Sequence, residues 1–561
     1  MPKRTGRCSR SRHRKHEGTC EKGTKMTVKG TKKKAVAAIA AVSALSMMLS
    51  ACGGSGDEAA QQLDKDGKPL VKVMFQSASN QTIATMGTWI NGLQEACGCT
   101  IEWSEVQDSQ WTQQKAATLA GGNPADVSIR AYHPSDAQKY PFFEDLSQHL
   151  DQMPNVQAFF KEQPIAKGMV TTPDGKMYTL PRYSGKLQRA SGQHLYINKT
   201  WLDKLGLQVP QTWDELFKVM EAFKTQDPNG NGQADEIPYA MRNIGTSEIG
   251  WWSPFLFLNS TGISTQFNNS PSRFGAYIKD GKVQNYLVSD EYRDVIEFLH
   301  TMIEKGYSPK DSLTQQSSKY YASLQGADDN KTATVGLAIT NIASAFGTGL
   351  QDQYEAIPWP ASKAGVTAVA DHSQDEGAFE DYAVAVREGA PNMDAILKLI
   401  NAMYGEDLSV QQRYGTFGDW VTKDGDHTYT VNEKLFKLTA NEKSPAFADR
   451  FAGWISDEWT IKGDTSNEDL QKADAIYADQ LKAVGDDYFP ISLVPSDEDS
   501  TTLSNNSATY LSAALPKVAD WMQNGGLDDA SWKAYVDSLQ PLGLDQNNQI
   551  WQKWLDEAKK K

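Results

Sequence analysis

Cysteine is scarce in this chain. Only five occur in 561 residues, and two of them, Cys8 and Cys20, lie in a strongly basic head. A fold stapled by many disulfides has no material here, and neither has a multi-cysteine metal centre. Histidine is nearly as sparse, with eight in all, scattered rather than clustered. The patterns His-Glu-x-x-His, Gly-x-Ser-x-Gly and the P-loop are missing, so hydrolase, zinc and nucleotide chemistry lack an obvious centre. After residue 48 no apolar run reaches the length needed to span a bilayer. No internal repeat appears at solenoid periods. Positive charge is also short: 13 of the 56 Lys/Arg fall in residues 1–51, after which 43 Lys/Arg face 68 Asp/Glu. An acidic body repels phosphate backbones, which argues against a nucleic-acid partner.

What is present starts with a secretion pattern. From Met26 a basic stretch (Lys29, Lys32, Lys33, Lys34) leads into the apolar run Ala35–Met48 and then Leu49-Ser50-Ala51-Cys52. This predicts a signal region over 1–51, cleaved before Cys52, with residues 1–25 read as an over-extended start. Leu-Ser-Ala-Cys resembles the lipobox of bacterial lipoproteins, which implies a lipid on Cys52 and a place on the outer face of the cytoplasmic membrane. Residues 52–69, opening Gly53-Gly54-Ser55-Gly56, read as a flexible tether. Cys97 and Cys99, separated by Gly98 alone, allow either a small disulfide or two free thiols.

The body alternates strand and helix signals. Leu70–Phe75 and Thr100–Glu105 read as strands, and Thr82–Glu95 and Gln110–Leu119 as helices, which predicts an α/β lobe. Ligands of such sheets meet the carboxyl ends of strands, so the segments after Phe75 and Val127 are expected to face a cleft. Asp174-Gly175, Asp280-Gly281 and Asp424-Gly425 read as hairpin turns. From Asn392 the chain reads as largely helical, with helices over Ala395–Tyr404, Tyr510–Met522, Ala530–Leu539 and Gln549–Ala558 and an acidic loop over Asp497–Ser507.

The densest signal runs from Thr212 to Glu236. Thr212-Trp213-Asp214-Glu215 is a capping box, and Trp213, Leu216, Phe217, Met220 and Phe223 mark one face of the helix behind it. The helix enters Asp227-Pro228-Asn229-Gly230-Asn231-Gly232-Gln233-Ala234-Asp235-Glu236. Asp227, Asn229, Asn231 and Asp235 fall at positions 1, 3, 5 and 9 of a calcium loop, Gly232 at position 6, and Gln233 at 7, where a backbone carbonyl serves. Position 12 is Pro238, so Glu236 must replace the usual bidentate Glu. That points to a structural Ca²⁺ rather than a sensor; the alternative is an Asn/Gly-rich turn capped by its own side chains.

Around this helix stand Leu195-Tyr196-Ile197-Asn198-Lys199, Leu205-Gly206-Leu207, Val209-Pro210 and Asp235-Glu236-Ile237-Pro238. Further along are Gly175-Lys176-Met177-Tyr178, Leu180-Pro181, Arg413-Tyr414-Gly415 and Trp532 to Gly543. Together they resemble the family 1 extracellular solute-binding proteins, in particular the large calcium-loop branch serving oligosaccharide importers. The resemblance implies a helix-rich, two-lobed α/β fold of the class II periplasmic-binding type, with hinge segments crossing at least twice. It implies lobes of 70–185 plus about 330–390, and 190–325 plus about 391–561, the second carrying the calcium loop at 227–236. It also implies a monomer that binds an oligosaccharide and hands it to an ABC permease without catalysis. The Cys97-Gly98-Cys99 insertion and the Trp251-Trp252 pair depart from the pattern.

Sugar rings need flat aromatics for their apolar faces and polar side chains for their hydroxyls. With 15 Trp the chain is well supplied. Candidates are Trp251 and Trp252, of which one should face the cleft and the other the core. Arg182 and Tyr183 at the lobe crossing, Trp359 in its proline frame and Trp420 follow, with Asp126, Gln76 and Asn80 from strand ends. For each aromatic, core packing is the alternative role. A peptide or other small-solute binder on the same scaffold, or a surface glycan-active enzyme, would share the anchor and the charge.

Overall fold

The strands follow from short, β-branched, alternating or fully apolar runs. β1 (Leu70–Ser77) pairs in parallel with β2 (Thr100–Gln107) and β3 (Val127–Ile129), while β4 (Thr179–Tyr183) completes the sheet through a later strand. A second sheet holds β5 (His194–Asn198) and β6 (Ile237–Ala240). β7 (Ala276–Lys279) and β8 (Lys282–Asn285) form a hairpin, with Asp280 at φ 51° and Gly281 at φ 73°, the left-handed pair a tight turn requires. β9 (Val335–Thr340) and β10 (Tyr354–Ile357) join the second sheet, giving the order β10-β5-β9-β6. β11 (Phe379–Val386) returns to the first, whose order is β2-β1-β3-β11-β4. β12 (Val421–Gly425), β13 (Thr428–Val431) and β14 (Thr460–Lys462) make a small third sheet.

This computed structural model describes residues 61–559 except 189–190, 246–248, 266, 268–269, 372–377 and 439–441. The signal run, Cys52 and the Gly53–Glu58 tether lie outside the described residues, as do Thr246, Ser247 and Glu248. Ala59–Lys561 clusters as one unit, separate from Met1–Glu58.

Within the described residues the two largest hydrophobic cores define two lobes. Val73, Phe75, Ile129, Leu180, Val384, Ile400 and Phe447 belong to one, and Ile197, Leu216, Phe223, Leu299, Leu337, Ile339 and Trp521 to the other. The chain leaves the first sheet after Tyr183 and enters the second at His194. It returns between Ala370 and Ala378, and crosses again between Trp459 and Ala473. The lobes therefore exchange chain three times. This partition differs from the expected one. β9 and β10, within 330–390, belong to the second lobe, and the 393–403 helix, with Phe447 and Trp454, belongs to the first. Apolar strands pair with any sheet, so their pattern does not say which lobe they join.

Helices formed close to where the periodicity placed them, at Asp108–Gly121, Trp213–Thr225, Met393–Met403, Asp529–Leu539 and Leu544–Ala558, but the one expected over Thr82–Glu95 runs only over Trp89–Cys97, after a separate 3-10 turn at Ile83–Thr85. The Thr212 hydroxyl accepts from the Glu215 amide at 3.3 Å, but the Glu215 carboxylate reaches one residue further back than expected and accepts from Gln211 N at 2.7 Å. Asp497–Ser507 is not a loop. It opens a helix over Asp497–Asn524 in which Ser496 caps the Asp499 amide. Acidic residues that read as a solvated loop also suit the positive end of a helix, and here the cap decided. Cys97 and Cys99 are disulfide-bonded, bridging the left-handed Gly98 that ends the first helix.

Candidate functional site

The two sheets turn their polar edges toward the crossings. On the first lobe, Arg130 follows β3, Arg182 is the last residue but one of β4 and Glu380 the second of the antiparallel β11, paired with Arg182, so all three arrive at one edge. Arg130 grips Glu380 with two bonds, Nε to Oε2 at 3.0 Å and Nη2 to Oε1 at 2.7 Å, and Arg182 Nε donates to the same Oε2 at 3.0 Å. Burial pushes the Glu380 carboxyl up, but the Arg182 charge and the bonds from Arg130 outweigh it and hold the group down at about 2. Arg413, buried in a helix end, extends the cluster to Asp449 at 3.1 Å and Gln188 at 2.7 Å. Beside Arg130, Tyr382 stacks obliquely on His133 at 3.9 Å, and the His133 ring bonds Asp381 at 3.1 Å.

On the second lobe, Gln193 precedes β5, Arg242 follows β6 and Asn341 follows β9, again at one edge. His194 is fully buried there, its ring nitrogens meeting Asn341 O at 2.7 Å and Asp474 Oδ1 at 2.8 Å. Since Asp474 lies beyond the third crossing, this pair ties the first crossing to the third. Gln193 does the same for the second: its amide donates to Asp371, and its Oε1 accepts from Trp252 N at 3.3 Å.

A cavity of about 320 Å³ opens between the lobes. His133, Glu380 and Asp381 line it from the first lobe, and Pro271, Phe274 and Trp551 from the second.

The sequence-derived candidates separate into groups. Trp251 and Trp252 stand on the second-lobe edge with rings 6.2 Å apart. Trp251 is 37% exposed, whereas Trp252 is partly buried and donates from Nε1 to Gly192 O at 2.9 Å. Arg182 is on the first-lobe edge but buried, committed to Glu380 and Ser184. Gln76 is the last residue but one of β1. Its Oε1 is buried and, among the described residues, has no hydrogen-bond partner.

Three candidates, Tyr183, Trp359 and Asp126, are committed elsewhere by their surroundings. Tyr183 is wholly buried, stacked on Phe379 at 4.4 Å with its hydroxyl on Asp457, so it packs the crossing. Trp359 is buried in the second core against Phe257. Asp126 precedes β3, at the end opposite Arg130, and is spent on Arg387 at 2.7 Å and Lys72 N at 2.9 Å. Asn80 is half-buried in the loop after β1 and accepts from Ser444 N at 2.9 Å through its backbone carbonyl, a contact that does not use its side chain. Trp420 is half-buried against Gly415 beside the small sheet.

In the 227–236 loop, Asp227 accepts from the amides of Gly230, Asn231 and Gly232, drawing the loop into a ring. Asn229 and Asn231 amides donate to Asp235 at 3.0 Å, and the Gln233 amide donates to Asn231 Oδ1. Burial, with Asp235 and Asp227 alongside, pushes the Glu236 carboxyl up. Its Oε1 is buried without a hydrogen-bond partner among the described residues. No three His, Cys, Asp or Glu side chains converge on a common metal position among the described residues.

Sequence reasoning missed Arg130, Glu380, Gln193, Arg242 and Tyr321. One signal was available: Arg130 follows β3 directly and Arg242 stands two residues after β6, at the strand ends where α/β ligands are met.

Two α/β lobes, exchanging chain three times and facing each other with polar and aromatic sheet edges, define a two-lobed ligand-capturing protein. The chain belongs to the bacterial extracellular solute-binding protein family, whose sequence profile matches residues 78–408. It is similar to a solved structure described as an HMO binding ABC-transporter associated solute binding protein from Bifidobacterium longum infantis. The two are 45% identical, with 88% of this chain and 99% of that chain covered and a TM-score of 0.83. It is also similar to the fructooligosaccharide ABC transporter substrate-binding protein FusA of Streptococcus pneumoniae, 28% identical over 83% of this chain and 86% of that protein. A structure of FusA with kestose, at 24% identity and TM-score 0.70 over 87% of this chain and 99% of that chain, shares the fold.

Proposed function

We propose that this protein captures an oligosaccharide between its two lobes and delivers it to the permease of an ABC importer, without chemistry of its own. The observation that carries this reading is the second-lobe edge. There an exposed Trp251, a tethered Trp252 and the donor Arg242 stand together at a lobe crossing, offering a ring face and a hydroxyl partner side by side. The 45% identity to an HMO binding relative supports the same ligand class. On the first lobe, Gln76, with its unpartnered buried oxygen, and the Arg130–Glu380–Arg182 cluster offer polar groups for the ligand's hydroxyls.

The lipid on Cys52 holds the monomer at the outer face of the membrane, near its permease. In support, Leu49-Ser50-Ala51-Cys52 resembles the lipobox of bacterial lipoproteins. A structural Ca²⁺ sits in the 227–236 loop, held by Asp227, Asn229, Asn231, the Gln233 carbonyl, Asp235 and Glu236. The donor set is all oxygen, as a hard cation requires, and the orphaned, buried Glu236 Oε1 is the group such an ion would satisfy. When bound, it neutralises the loop's carboxylates and fixes the turn between the 213–225 helix and β6.

The test is a thermal-shift screen of the mature protein in calcium against oligosaccharides, peptides and amino acids, with each hit assayed for hydrolysis. Stabilisation by one oligosaccharide class that is recovered intact is the expected result. A shift with peptides alone, or cleavage of the sugar, would overturn the reading.

A further inference from the structure

One arginine at the cleft edge is used differently from those around it. Arg130, Arg182, Arg293, Arg387, Arg413 and Arg450 each pair with a carboxylate. Arg242, among the described residues, pairs with none, although the body around it carries far more acid than base. Its guanidinium instead lies 5.1 Å from the Trp252 ring centre and 5.9 Å from that of Tyr321, and one N–H donates to the Trp251 carbonyl oxygen. Trp252 meets Tyr321 edge to face at 5.8 Å. A guanidinium carries five donors in a rigid fork, and stacking uses none of them, so most of the fork is left over.

The surroundings of that fork are built rather than incidental. Trp251 and Tyr321 are exposed by 37% and 40%, two of the few large apolar side chains so open in the described chain. Trp252 holds φ at 56°, a conformation bulky residues rarely adopt, and Gln193 Oε1 and the Gly192 carbonyl fix it there. Strain retained at one position by hydrogen bonds from a lobe crossing marks a place where orientation matters. The arrangement is an aromatic shelf with a charged, aligned and unspent donor beside it.

We propose that Arg242 is a specificity-determining ligand contact, donating from its free edge to two adjacent oxygens on the sugar ring that stacks on Trp251. Vicinal hydroxyls and a uronate carboxylate both present that oxygen pair. The assignment rests on the oligosaccharide reading above. Tyr321 completes the shelf, and Gln193 positions it.

The test begins with a glycan array of neutral and uronate-containing oligosaccharides, whose strongest binder is then titrated calorimetrically. Arg242→Met, which keeps the stem's packing on the rings, is expected to weaken binding roughly 10- to 100-fold while the melting temperature stays within about 2 °C. With a uronate ligand, Arg242→Lys recovers most of the affinity at low salt and loses it as salt rises. With vicinal hydroxyls, it binds as weakly as Arg242→Met at every salt concentration. A deoxy analogue lacking one of the two oxygens binds the wild type more weakly but binds Arg242→Met no worse than its parent. If Arg242 served only to brace the tryptophans, the analogue would lose equally in both proteins, and the assignment would fail. Wild-type binding with Arg242→Met within twofold overturns it as well, while leaving the oligosaccharide reading intact. A silent array overturns that reading and this assignment together.

Discussion

At the scale of single residues, Glu380 is the group on which the first-lobe edge depends. Its folded value of about 2 lies below the ordinary 4.5, so ionised Glu380 stabilises the fold above pH 4.5, and this contribution is lost as pH falls from 4.5 through 2. Glu380→Gln leaves Arg130 and Arg182 facing each other without a counter-charge, which costs about 3 kcal/mol near neutral pH. Denaturant titrations of both proteins at several pH values should show that gap narrowing below pH 4.5. A gap that stays constant down to pH 2 would contradict the assignment. Glu380 could not be picked from the sequence, because its partners lie 250 and 198 residues away and one carboxylate among 70 carries no local mark. Tryptophan is the converse case. Composition announced an abundance of indole, but Trp359 fills a core while Trp251 stays open, and both occupy equally plausible turns in the sequence.

At the scale of elements, most of what was legible came from period and caps. The buried face of the 213–225 helix is the apolar stripe its spacing marks, since a 3.6-residue repeat leaves few other ways to bury Leu216, Met220 and Phe223. The start of the 497–524 helix was illegible because Ser, Asp and Asn cap helices and build loops by the same side-chain bonds. The calcium loop sits between these cases, with its spacing plain and its occupancy dependent on Glu236. If Ca²⁺ is held there, chelation should lower the melting temperature and readdition restore it, while Glu236→Gln should weaken calcium affinity by roughly tenfold or more. Calorimetric titration of calcium into the chelated protein measures both. A chelated protein that melts unchanged and takes up no calcium would mean that the backbone amides on Asp227 hold the loop alone.

At the scale of the whole molecule, the crossings matter more than either lobe. Strand patterns revealed two α/β bodies but not which strands each body owns, because β11 and the 393–403 helix return to the first sheet after some two hundred residues spent in the second. Three crossings constrain the lobes to a hinge rather than free tumbling. His194–Asp474 and Gln193–Asp371 tie those crossings together on the second-lobe side, beside the Trp251 shelf. A ligand bridging the shelf and the Arg130–Glu380 edge would contact both lobes only when they approach, so its binding energy should favour closure. Small-angle scattering is expected to show a smaller radius of gyration with saturating oligosaccharide, and ligand at a hundred times its dissociation constant should add about 2.7 kcal/mol of stability. Gln193→Ala, which removes one of the two bonds holding Trp252 to the crossing, should weaken ligand binding while leaving the unliganded scattering curve unchanged. Unaltered scattering on ligand addition would show instead that the cleft takes its ligand with the lobes already set.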